Sequence, residues 1–172
     1  MPVVAPAPAR QVGIGLRNKQ AVRTGMGVAA LVIALQAVPL PTAIQPFWLL
    51  LLMLGAGFGA VYMYHRRTGE MLTMSGGARL GWITGLFVFL IMTILLTVTM
   101  LAVASDTGIR GFFRELTGPR GTPEFLDQLD SILASPAGAA TFILLMLLFF
   151  FLFFTMLSSI GGALAAKVLE KD

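Results

Sequence analysis

Between residues 24 and 64 the chain carries no charged side chain. A helix rises about 1.5 Å per residue and the hydrocarbon core of a bilayer is about 30 Å thick, so a run of this length exceeds one crossing and suits two. Pro39, Pro41 and Pro46 fall near its middle. Each lacks an amide donor and restricts the residue before it, which interrupts a helix. The run therefore reads as a helical hairpin, with a first helix over residues 19–38 capped by Asn18 and a second over residues 47–64. Trp48 stands at one end of the second helix and Tyr62 and Tyr64 at the other, where amphipathic rings favour the two membrane interfaces.

The rest of the chain repeats this logic. A third apolar helix is expected over residues 77–104, with Ser75 as its N-cap and Trp82 near its start. Ser135 and Pro136 open a fourth, Phe-rich helix that leads into a short cytoplasmic tail over residues 136–172. Between them, residues 105–135 form the one sizeable polar segment. Ile109, Phe112, Phe113 and Leu116, then Phe125, Leu126, Leu129, Ile132 and Leu133, fall at helical spacing on either side of the Gly118-Pro119-Arg120-Gly121 turn. Two short amphipathic helices follow, lying at the membrane surface. Residues 1–18, rich in Pro and Ala, read as a retained flexible tail rather than a cleaved leader.

The expected fold class is thus an all-α integral membrane protein with four transmembrane helices, arranged as two hairpins, and two short amphipathic helices in the extracytoplasmic loop. Composition agrees, because 57% of residues are hydrophobic and 12% charged, against about a quarter charged in soluble domains. The net charge of +4 would in a soluble protein invite a nucleic-acid reading. Here the basic residues cluster beside apolar spans, so orientation accounts for them and no nucleic-acid partner is expected.

Orientation follows from where the basic residues stand. Arg10, Arg17, Lys19 and Arg23 lie in and just after the tail without an acid, and Arg66, Arg67 and Arg79 face only Glu70 in the second connection. The first hairpin turn is uncharged, and residues 105–135 hold more acids than bases. The positive-inside rule places both termini and the Arg-bearing connection in the cytoplasm, in a multi-pass cell (inner) membrane topology.

Chemistry is sparse. The absence of cysteine removes disulfides, thiolate metal sites and cysteine nucleophiles. No Asp, Glu, Lys or Arg falls well inside an expected span, which argues against a proton- or ion-coupled pump acting alone. His65, the one imidazole, lacks a partner carboxylate or co-ligand at membrane depth and reads as a helix-end residue. Glu124, Asp127 and Asp130 share one face of a short helix, read as a solvated face rather than a cation site. Gln36 is the most polar group at depth, with Thr84, Thr93, Thr97, Thr141, Thr155 and Ser158 behind it, and these read as groups that bond to backbone or across helices.

Two sets of residues stand out. Gly55 and Gly59, then Gly77, Gly81 and Gly85 at four-residue intervals, and Gly161 with Gly162, are expected to let helices approach closely. Arg66, Arg67 and Arg79 are the candidate contact for anionic lipid headgroups, beside their role as topology signals. The expected function is a non-enzymatic structural or accessory subunit that packs through its glycine faces, as a homo-oligomer or in a larger membrane complex. The alternatives are an oligomeric small-solute transporter or channel protomer and, behind it, an interfacial lipid-modifying enzyme. The bilayer is the one certain surrounding this reading requires, and no metal or cofactor is called for.

Overall fold

The structure, a computed structural model, describes residues 13–41, 43–104 and 122–170. Among these residues it is helical throughout, with α1 Lys19–Gln36, α2 Gln45–Thr68, α3 Met74–Ala104, α4 Pro123–Leu133 and α5 Pro136–Leu169. Three of them, α2, α3 and α5, are long and apolar enough to cross a membrane, as a helical membrane protein requires. The first of the two expected loop helices lies outside the described residues.

Several helix ends differ from the expectation, each for a local reason. Pro46 does not break α2 but sits in its first turn, where a missing amide is harmless and the fixed φ suits a helix. At its other end α2 runs on past Tyr64 to Thr68, taking His65, Arg66 and Arg67 into its last turn. Gly69 stops it at φ 69°, with its amide donating to His65 O at 2.8 Å. That left-handed position favours glycine. Basic side chains in a last turn also complement the helix dipole. The start of α3 moves back to Met74, because Thr73 rather than Ser75 closes it. Thr73 Oγ1 accepts from Gly76 N at 3.2 Å, and Thr73 O from Gly77 N at 2.8 Å. Helix α1 ends at Gln36, two positions short of the expected Val38.

Helix α5 lies in the groove between α2 and α3, and α1 covers α2 and α3 on another side. The core they enclose includes Val28 and Val32 of α1, Met53 and Val61 of α2, Leu80, Ile83 and Val88 of α3, and Phe154 and Ala165 of α5. Ile14, expected in the flexible tail, is buried with this core. A turn in which Asn18 N donates to Gly15 O at 2.9 Å returns the chain into α1. At the far end α4 docks through Leu129 and Leu133 on Leu96 and Met100 of α3 and on Phe142, Ile143 and Met146 of α5. Its cap is Thr122, whose Oγ1 accepts from Phe125 N at 3.3 Å.

What brings α5 so near its neighbours is the lack of side chains at the contact. A Cβ on Gly81 would fall on Ser158 O, one on Gly77 on Gly162 O, and one on Gly85 2.7 Å from Phe154 O. The three glycines of α3 thus meet successive turns of α5 in antiparallel order. On the α2 side the close residue is Gly57, whose Cβ would also fall on Ser158 O, while Gly161 faces Leu54 O. Gly55 has nothing within 4 Å of a built Cβ, and Gly59 meets only Val28 Cγ1 at 3.8 Å. Within the one chain, then, Gly55 and Gly59 are not the glycines of α2 that meet α5. The odd glycine between them turns toward α5.

Candidate functional site

The polar groups of the bundle gather at the end where α1 begins and α2 stops. Asn18 caps α1, its Oδ1 accepting from Gln20 N at 3.0 Å and Ala21 N at 3.2 Å. Its Nδ2 donates to Tyr64 OH at 3.3 Å, tying the start of α1 to the last turns of α2. Tyr64, 1% exposed, donates in turn to Glu70 Oε2 at 3.0 Å. Thr68 Oγ1 donates to Tyr64 O at 2.9 Å and accepts from Glu70 N at 3.2 Å. His65 Nδ1 lies 3.0 Å from Glu70 O, the geometry of donation by the Nδ1–H tautomer. The imidazole therefore holds the segment after Gly69, a structural task that matches its expected place at a helix end.

This network decides the electrostatics beside it. Glu70 is the one acid near Arg66, Arg67 and Arg79 in sequence, and its carboxylate is turned to Tyr64. Among the described residues no carboxylate forms an ion pair with Arg23 or Arg67. A groove of about 540 Å³ opens here, lined by Gln20, Arg23, Thr24, Met26, Gly27 and Ala30 of α1 and by Arg67 and Thr68 of α2. Gln20, Arg23, Thr24, Gly27 and Ala30 recur at three- and four-residue steps, so they share one helix face. Thr24 is 2% exposed, and its hydroxyl makes no hydrogen bond among the described residues.

Of the three arginines singled out by sequence, the structure brings only Arg67 to this groove. Arg66 and Arg79 are exposed and line none of it. Arg23, read as a topology signal, takes their place from α1. The clue was present in the spacing of Gln20, Arg23 and Thr24 with Gly27, which marks a polar-to-small stripe on the first turns of α1.

The remaining polar candidates behave differently. Thr84 Oγ1 donates to Leu80 O at 2.9 Å, Thr155 Oγ1 to Phe151 O at 2.6 Å and Thr97 Oγ1 to Thr93 O at 2.8 Å, each within its own helix. Ser159 Oγ instead bridges two helices, donating to Ala78 O at 3.0 Å. Gln36 Oε1, Trp48 Nε1 and Ser158 Oγ are buried without partners. Among the described residues no three His, Asp or Glu side chains come together as metal ligands. Compared with known protein families, with characterised proteins and with solved structures, the chain matches none.

Proposed function

We propose that the chain is a four-span protein of the cell membrane with both termini cytoplasmic, acting as a non-enzymatic structural or accessory subunit in a homo-oligomer or a larger membrane complex. Helix α1 supplies the fourth span. Its 18 residues reach about 27 Å, and Lys19 and Arg23 near its start can extend to the headgroups. The orientation is supported by charge. Lys19 and Arg23 at the start of α1, Arg66 and Arg67 at the end of α2 and Arg79 in α3 belong to one end of the bundle, which the Asn18–Tyr64–Glu70 chain ties together.

The observation that carries the accessory reading is the closed interior. The buried polar side chains are Thr24, Thr84, Thr155 and Ser158, and no Asp, Glu, Lys, Arg or His is buried among the described residues. Where α5 meets α2 and α3, backbone stands against backbone, which leaves no space for a solute path along that seam among the described residues. Purification in mild detergent through a terminal affinity tag is expected to yield a self-associated species or a stoichiometric membrane partner. Solute flux in proteoliposomes made from this chain alone, lost when Gln36 or Thr93 is made apolar, would overturn the reading in favour of a transporter. Lipid turnover lost with His65→Ala would overturn it in favour of an enzyme.

A further inference from the structure

We propose that the groove between α1 and the end of α2 is a binding site for one anionic phospholipid. Its headgroup phosphate is held between Arg23 and Arg67, and the upper part of an acyl chain lies along Met26, Gly27 and Ala30. The inference rests on reading α1 and α2 as membrane-spanning.

The lining is divided in the way a phospholipid is. At one end stand two guanidinium groups from different helices, with the amide of Gln20 and the hydroxyl of Thr24, while Thr68 lines the wall with its own hydroxyl already donated to Tyr64 O. Guanidinium groups match phosphate oxygens with paired N–H donors, and the basic end of the bundle lies at headgroup depth. Neither arginine spends its charge on a carboxylate among the described residues, because Glu70 is held by Tyr64. Thr24, a buried residue on the groove wall, adds a hydroxyl that makes no hydrogen bond among the described residues and can donate to a phosphate oxygen. The other end of the groove is apolar. Gly27 meets nothing within 4 Å of a built Cβ, so there is room for a chain to lie against α1. A free phosphate or an acidic side chain would fill the polar end and leave the apolar end empty.

The test uses the full chain in detergent, stripped of lipid and titrated with phosphatidylglycerol or phosphatidylcholine, with bound lipid counted by native mass spectrometry. Wild type should hold phosphatidylglycerol in preference to phosphatidylcholine. The Arg23→Gln, Arg67→Gln pair should weaken that binding about thirtyfold, by the usual worth of a basic residue at an anionic surface. Gly27→Leu, which keeps every charge and fills the groove, should weaken it as well. The charge-matched pair Arg66→Gln, Arg79→Gln should change it no more than about threefold, since those side chains lie outside the groove. Equal losses in the two arginine pairs, or unchanged binding in the groove pair, would overturn the proposal. So would displacement of the lipid by inorganic phosphate at equal concentration, which would assign the groove to the free anion. Alkaline carbonate extraction reads membrane integration separately. Release of the wild-type chain would sink the spanning reading itself, whereas retention with unchanged binding by the groove pair overturns the groove alone.

Discussion

Ser158 is the point at which three helices meet without side chains between them. Its carbonyl oxygen occupies the position of a Cβ on both Gly57 and Gly81, so a methyl at either glycine forces α5 away from α2 or α3. Two effects compete in a glycine-to-alanine change here. Alanine gains about 1 kcal/mol of helix propensity over glycine, while overfilling a close-packed contact costs about 1–3 kcal/mol. The structure separates them by position. Gly81→Ala should lower stability in detergent by up to about 2 kcal/mol net, whereas Gly55→Ala, with open space around it, should be neutral or slightly stabilising. Graded unfolding of the two variants in sodium dodecyl sulfate would measure the difference, and equal behaviour would refute the packing described. Which glycine does this work was only partly legible in the sequence. The regular row of Gly77, Gly81 and Gly85 is a helix face by arithmetic, but choosing between Gly55 with Gly59 and Gly57 needs the direction of α5, which no spacing within α2 contains.

At the scale of elements, the ends of helices are set by single caps that compete over one or two positions. Thr73 and Ser75 are both good N-cap residues, and their hydroxyls lie 3.1 Å apart. Thr73 prevails because the chain leaving Gly69 is already fixed to α2 through His65 and Tyr64, which brings Thr73 first to the position where it can take Gly76 N. Thr73→Ala should therefore cost about 1 kcal/mol, and Ser75→Ala no more than about 0.5 kcal/mol. Thermal unfolding in detergent would show whether the order is reversed. The same reasoning explains where the arginines ended up. Read as part of a turn, Arg66 and Arg67 looked equivalent, but in the last turn of a helix adjacent residues point about 100° apart, and only Arg67 lines the groove with Arg23.

For the whole molecule, apolar runs and their interruptions were enough to place α2, α3 and α5, since long hydrophobic segments answer mainly to length. The groove was not legible, because it is built by two helices whose relative rotation is decided by packing against α3. The chain contains no cysteine, so a single introduced thiol is unambiguous. In intact cells, a cysteine at Gln128, exposed on α4, should react with an impermeant maleimide, and one at Met71, exposed beyond the end of α2, should react only after the membrane is opened. The reverse pattern would invert the topology. The position of α5 between α2 and α3 also bears on how the protein is made. Gly161 faces α2 and Gly162 faces α3, and both belong to α5, which follows those helices in the chain. During synthesis Gly57 of α2 and the glycine row of α3 emerge before α5, so the earlier helices lack their packing partner until that later helix arrives to close the bundle.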